Sequence, residues 1–375
     1  MPPIHLDLAP GARANDSPAA RLHLDLPLLI GLLALCAAGL AILYSAGGGR
    51  IALVEAQAMR MGLGLLLMAA VAQIPPPWLK RWSPWVYALG IALLVAVMFG
   101  GEVGKGAQRW LNLGLFRFQP SEILKLAVPM MVAAWLAERP LPPRPGTLAV
   151  ALAMILIPVL LIARQPDLGT ALLVAMAGFF ALFMAGLSWR LLGLFTALVA
   201  AGAPLLWHFM REYQRQRVLT FLNPESDPLG SGYHIIQSMI AIGSGGVYGK
   251  GFLEGTQSHL EFLPERTTDF IFAVISEELG LTGVLVLLAL YLFVIGRGLY
   301  IASHAQDSYG RILAASLTLV FFVYLFVNTG MVTGLLPVVG VPLPLVSYGG
   351  TSLVTILLGF GMLMSIHTHR RLLIA

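Results

Sequence analysis

The chain has 375 residues, of which 58% are hydrophobic and only 11% charged, with a mean hydropathy of +0.83 and a formal net charge of +5. A soluble domain carries about 25% charged residues, so a water-soluble core is excluded. The basic residues lie scattered at span ends with no aromatic-interleaved soluble patch, which argues against a nucleic-acid partner, and the single cysteine, Cys36, excludes a disulfide framework and a Cys-based zinc site.

Residues 1–26 are polar, proline-bearing and of mixed charge, and read as a cytoplasmic N-terminal tail. The run after them is longer than the apolar region of a signal peptide, so it is expected to stay as the first span. Apolar runs of membrane-crossing length then recur at about 27–45, 57–75, 84–100, 122–138, 147–163, 169–186, 189–207, 279–301, 311–333 and 345–367. The expected fold is therefore an all-α integral membrane protein of about ten transmembrane helices, with residues 27–375 forming one polytopic domain.

Lys and Arg in the short connections set the orientation. With the N-terminus inside, the cytoplasmic segments hold Arg13, Arg21, Lys80, Arg81, Arg139, Arg144, Arg190, Arg297, Arg311, Arg370 and Arg371. The short external loops hold only Arg50, Arg60, Lys105, Arg109, Arg117 and Arg164. Both termini are thus expected in the cytoplasm. The one long connection, about 208–278, falls on the extracytoplasmic side and carries half of the 18 acidic residues. A loop of that length in a compact bundle is usually functional, and "GSGYHIIQSMIAIGSGG" within it suits a short amphipathic helix at the interface.

Four stretches carry chemistry. In "HLEFLPERTTDFIFAVISEELG", Thr267 or Thr268 is expected to cap a helix that begins at Asp269, placing that carboxylate where the helix dipole favours its charge. Ala273, Ser276 and Glu277 would share its face and line a groove; a plain helix cap with a solvated acidic collar explains the same residues. In "QPSEILKLAVPM", Glu122 and Lys125 stand three residues apart on one helical face, an opposite-charge pair inside a span that is functional by default or a self-neutralising structural pair. In "GKGAQRWLNLG", Arg109 offers a planar fork for phosphate and Trp110 a flat face for a sugar or headgroup, although an interfacial aromatic belt has the same composition. In "VPLPLVSYGGTS", Pro342, Pro344 and the Gly349-Gly350 pair predict irregular backbone lining a cavity. The outer ends of spans four and eight are expected to share, with the external loop, one cavity open sideways to lipid.

The chain lacks a phosphate loop, a G-x-S-x-G elbow, an H-E-x-x-H or Cys/His cluster, and a D-x-D pair. ATP-driven and protein-bound metal chemistry are thereby disfavoured, leaving carboxylate and Arg/Lys chemistry at one membrane face.

The segments "GAQRWL", "QPSEILK", "DLGTAL", "DPLGSGYHIIQSMIAIGSGG", "LEFLPERTTDFIFAVISEELG", "NTGMVTGLLPVVGVPLPLVSYGGTS" and "SIHTHRR" closely resemble the SEDS family (shape, elongation, division and sporulation) from the first span to the C-terminus. "TQSHLEFLPERTTDFIFAV" and "SIHTHRR" resemble its elongation branch more than its division branch. The resemblance implies an inverting peptidoglycan glycosyltransferase that polymerises lipid II on the outer face of the bacterial cytoplasmic (inner) membrane during cell elongation and rod-shape maintenance. It also implies a class B penicillin-binding protein partner among the elongation-complex membrane proteins. Carried onto this sequence, Asp269 is the catalytic base, Arg109, Lys125 and Arg217 attend the diphosphate, Glu122 orients Lys125, Trp110 contacts substrate, and Glu261 supports the loop of Asp269. No cofactor is implied, apart from a divalent cation such as magnesium carried by the substrate diphosphate. A lipid II flippase and a non-catalytic scaffold for cell-wall enzymes compete with this reading; charges clustered at the outer ends of the spans, rather than at mid-membrane, favour surface chemistry.

Overall fold

The computed structural model describes residues 22–104, 107–112, 117–210, 212–226, 231–259, 263 and 265–369. Most of the N-terminal tail and the last six residues lie outside them.

All ten expected spans are helices: α1 (Leu26–Ala46), α2 (Ile51–Ala72), α3 (Pro76–Gly100), α4 (Pro120–Ala137), α5 (Pro145–Arg164), α6 (Leu168–Met184), α7 (Trp189–Phe209), α11 (Ile271–Ser303), α12 (Ser308–Val332) and α13 (Thr351–Thr368). Eight of them are long and apolar enough to cross a membrane, and α6 and α7 add shorter apolar helices. Local chemistry starts several of them. Asp25 caps α1 by accepting the Leu28 N–H at 3.0 Å, Asp167 caps α6 through the Thr170 N–H, Asp307 caps α12 through the Gly310 N–H, and prolines open α3, α4 and α5.

Helices α4, α12 and α13 are mostly buried and form the interior of the bundle. The outer helices expose Leu66, Trp85, Phe99, Leu160 and Leu292, which is the stable arrangement when hydrocarbon rather than water is the solvent. One departure from an all-helical reading is a ribbon of three short antiparallel strands between α3 and α4, β1 (Glu102–Gly104), β2 (Ala107–Asn112) and β3 (Arg117–Phe118), in that order. It pairs Glu102 with Trp110 and Leu111 with Phe118.

The long connection is ordered into α8 (Glu212–Leu222), a 3-10 turn (Pro224–Ser226), α9 (Ser231–Gly245) and α10 (Thr256–His259). Helix α9 is the amphipathic segment expected from sequence, with Ile235, Ser238 and Ala241 buried and Met239 and Ile240 exposed. It packs on α11 and α12, and the Ser238 hydroxyl donates to the Val332 carbonyl at 2.8 Å. Where it crosses α11, a Cβ on Gly245 would lie 1.9 Å from the Ser276 carbonyl oxygen. The Ala273, Ser276 and Glu277 face, expected to line a groove, is therefore a tight helix seam, because small side chains let α9 approach this closely.

Helix α11 is broken at Gly280, whose φ of 63° and ψ of −163° only glycine adopts readily. The segment after α9 repairs the break. Lys250 and Gly251 N–H groups donate to the Glu277 and Glu278 carbonyls at 3.0 Å each, and Leu281 and Thr282 N–H groups donate to the Gly246 and Val247 carbonyls at 3.0 Å each. The break isolates a short helix, residues 271–279, from the rest of the span. Its two glutamates are no solvated collar. Glu277 is fully buried, bonded to Lys250 Nζ at 2.7 Å, the Thr256 hydroxyl at 3.1 Å and the Gln257 N–H at 2.9 Å, and buried Glu278 meets the Ser45 hydroxyl at 2.6 Å.

Candidate active site

Asp269 does not sit in the first turn of a helix, as the sequence suggests. It lies within a turn over residues 265–270 in which the Thr268 and Phe270 N–H groups donate to the Glu265 carbonyl, and the helix starts at Ile271 after Phe270. Thr267 and Thr268 cap nothing; the Thr268 hydroxyl instead donates to Glu265. The reason is tertiary. A helix beginning earlier needs the Asp269 carbonyl to accept from Ala273, but Ala273 bonds Phe270, and the Asp269 carbonyl accepts the Asn328 amide at 2.9 Å. The two carbonyls before it are captured likewise, Thr268 by the Ser347 hydroxyl at 2.6 Å and Thr267 by the Tyr348 N–H at 2.8 Å.

Those donors come from the irregular "VPLPLVSYGGTS" segment and from α12. Asn328, fully buried, splits its amide between the Asp269 and Val341 carbonyls. The Asp269 carboxylate leans toward Gly340: a Cβ built there would lie 3.5 Å from Oδ2. The neighbouring Val339 carbonyl lies against the start of α6, 2.8 Å from a Cβ built on Gly169. The same α6 terminus carries Asp167, which accepts the Gln119 amide at 2.8 Å and pairs with Arg109 at 3.6 Å. Arg109 also donates to the Gln165 carbonyl at 3.2 Å and to the Pro166 carbonyl. Its guanidinium thus pins the ribbon to the 165–167 turn, with the side chain still about a third exposed (31%). Successive strand residues face opposite ways, so Trp110, half-buried on β2, serves the other face of the ribbon.

Glu122 and Lys125 form the expected pair, Nζ to Oε1 at 2.7 Å, both side chains buried. Glu122 Oε2 is buried with no hydrogen-bond partner among the described residues, and Lys125 lies 5.2 Å from the centre of the Tyr324 ring. Tyr324 and Asn328 are one turn apart on α12, a rise of roughly 6 Å. Lys125 and the Asp269 backbone therefore contact adjacent turns of one buried helix. Beside Lys125 a cavity opens, walled by Leu126, Phe321, Tyr324, Thr355 and Gly359. Its walls come from spans four, nine and ten. Arg217 is exposed on α8, and Glu261 lies outside the described residues.

A family model spanning FtsW, RodA and SpoVE, described as cell cycle protein, matches residues 19–372. The chain belongs to the FtsW/RodA/SpoVE family. Within that family, it is 58% identical over 354 residues to the peptidoglycan glycosyltransferase MrdB of Escherichia coli K12, covering 94% of this chain and 96% of that protein. Its fold matches a chain of a solved peptidoglycan synthase complex that coordinates polymerization and crosslinking, with a TM-score of 0.79, 34% identity, and coverage of 92% and 99%. It also matches the crystal structure of the rod shape determining protein RodA of Thermus thermophilus, with a TM-score of 0.69, 30% identity, and coverage of 92% and 96%. The family's elongation branch is thus the one to which the "TQSHLEFLPERTTDFIFAV" and "SIHTHRR" segments pointed.

Sequence reasoning missed Asn328, Ser347 and Gln57 around the Asp269 turn, and Tyr324 beside Lys125. Gln57, fully buried on α2, donates to the Ser347 carbonyl at 3.2 Å and accepts the Gly349 N–H at 3.3 Å. Their signal was a neutral amide or hydroxyl inside an apolar span, where a polar side chain needs a partner.

Proposed function

We propose that this chain is an inverting peptidoglycan glycosyltransferase that polymerises lipid II on the outer face of the cytoplasmic membrane during cell elongation. The observation that carries the proposal is the turn at Asp269, whose backbone is clamped on three successive carbonyls while its carboxylate lies beside Gly340, on the same end of the bundle as Arg109 and Lys125. The names of family relatives that align over nearly the whole chain support the same activity.

In the reaction, Asp269 takes the proton from the acceptor sugar hydroxyl as that oxygen attacks the anomeric carbon of the donor glycan. The bond from that carbon to the diphosphate oxygen breaks on the opposite face, its electron pair leaves with the diphosphate, and an α-linked donor becomes a β-1,4-linked product. Charge building on the leaving group calls for fixed cations. Arg109 and Lys125 fill that role, with Arg217 joining from α8, and Glu122 orients Lys125. Trp110 contacts the substrate from the ribbon, and Glu261 supports the loop that precedes Asp269. A magnesium ion, where used, travels on the substrate diphosphate. The excess of Lys and Arg in the connections at the opposite end supports a cytoplasmic location for both termini, and a class B penicillin-binding protein cross-links the glycan produced.

The test is incubation of the purified chain, in detergent and with its transpeptidase partner, with labelled lipid II. Polymer is the expected product. Lipid II left intact would overturn the enzyme in favour of a flippase or scaffold, since transport has no meaning without two compartments.

A further inference from the structure

We propose that Asn328 and Ser347 are positioning residues for the Asp269 carboxylate, acting through the backbone of the turn that carries it. The proposal rests on the reading of Asp269 as the general base.

Three carbonyls in a row, at Thr267, Thr268 and Asp269, accept hydrogen bonds from outside their own turn. Such carbonyls ordinarily feed the helix that follows. Here they are withheld from it, which stops α11 from starting until Ile271 and leaves Asp269 on a turn whose direction depends on its partners. Both amide hydrogens of Asn328 face carbonyls, Asp269 at 2.9 Å and Val341 at 2.8 Å. One planar group therefore fixes the distance between the Asp269 backbone and the strip that contains Gly340, over which the carboxylate leans. The orientation of the amide follows from chemistry, because a carbonyl accepts and only the NH₂ end donates.

Ser347 fixes a second point. Its hydroxyl donates to the Thr268 carbonyl at 2.6 Å and accepts the Leu343 N–H at 2.8 Å, so its single proton has one place to go. Gln57 in turn holds the Ser347 and Gly349 backbone from α2. Neither Asn328 nor Ser347 carries charge, and both bond the Asp269 turn through its carbonyls. Their chemistry is geometric. An apolar bundle would be simpler without a buried asparagine, whose Oδ1 is left without a partner among the described residues. The rigid aim of a base on a turn accounts for keeping it, since misplacement by about 1 Å costs on the order of a hundredfold in rate.

The experiment measures lipid II polymerisation by the full chain with its transpeptidase partner in detergent, for Ser347→Ala, Ser347→Thr, Asn328→Ala and Asp269→Asn, alongside unfolding temperature. Ser347→Ala and Asn328→Ala are expected to lower kcat by about tenfold to a hundredfold with KM within about twofold. The acidic limb of the pH-rate profile stays in place, because no charge beside the base has changed. Ser347→Thr, which keeps the hydroxyl, is expected to retain activity. Should Asn328→Ala fail to fold, the two Ser347 variants decide alone. Unchanged kcat per folded molecule in Ser347→Ala, with Asp269→Asn inactive, overturns the positioning role and leaves the base standing. Full activity in Asp269→Asn overturns the base and this proposal with it. A raised KM at constant kcat, or a shifted pH limb, also overturns positioning.

Discussion

The two ends of the bundle hold charge in opposite ways. At the end where α1 begins and α13 finishes, the Asp25 carboxylate closes on Arg297 at 2.6 Å and on His367 at 3.3 Å, and caps α1. His23 and His369 stack beside it at 3.9 Å between ring centres. That carboxylate is anchored by its own charge. At the other end the Asp269 carbonyl accepts the Asn328 amide, and the carbonyl before it accepts the Ser347 hydroxyl, so neutral donors tie the turn through its backbone. One end is fixed through a charged pair, the other through backbone carbonyls, so removing a side-chain charge should disturb the two ends differently.

Asp269→Asn sharpens this contrast most. Since the anchors are carbonyls, the substitution is expected to leave the fold and the unfolding temperature nearly unchanged while polymerisation falls by at least about a hundredfold. Glu265→Gln, on the same turn, should lose much less, and equal losses in the two variants would erase the distinction. Glu277 and Glu278 cannot serve as comparable controls, because they are buried and their loss unseats the short helix.

The Glu122 and Lys125 pair comes next. Lys125→Met leaves a buried carboxylate with one oxygen already orphaned, and is expected to cost about 3–5 kcal/mol. Glu122→Leu in the same chain should recover part of that loss. Additive effects in the double-mutant cycle, read from heat unfolding in detergent, would refute coupling.

Gly245→Ala tests the seam behind the site. The added methyl meets the Ser276 carbonyl at 1.9 Å, so α9 must move away from the short helix, at about 1–3 kcal/mol. Because that helix follows Asp269 directly, kcat should fall along with stability. Stability lost with kcat unchanged would uncouple α9 from the site.

The smallest effect lies at the opposite end. Burial alone would raise the Asp25 carboxyl, but hydrogen bonds from Arg297 and the Leu28 N–H outweigh it and hold the folded value below the ordinary 3.8. Stability from this group is therefore complete above that value and is lost as pH falls through the lower folded one. Asp25→Asn should lower the unfolding temperature at neutral pH, flatten its fall in acid, and leave polymerisation per folded molecule intact. Impaired polymerisation in that variant would show that the two ends are not separate.

Much of the architecture was legible in the chain. Ten apolar runs become ten helices because each must satisfy its own backbone in hydrocarbon, a demand written in composition and length alone. The Glu122–Lys125 pair was legible for a local reason, since residues three apart on a helix meet whatever surrounds them. The start of α11 was not. Local signals place it at Asp269, and distant donors on α12 and in residues 347–348 move it to Ile271.

The sequence by itself determined the membrane class, the number of spans, the pairing of nearby charges and the irregular segment before α13. Only the tertiary structure decided that this segment grips the turn of Asp269, that Arg109 pins a strand to the start of α6, that Glu277 is buried against the segment after α9 and Glu278 against α1, and that α11 breaks at Gly280 on backbone donors from the preceding loop. Helical periodicity reports which residues share a face within about one turn. A carbonyl's partner sixty or eighty residues away leaves no periodic trace, because any side chain or N–H that arrives with a donor will serve.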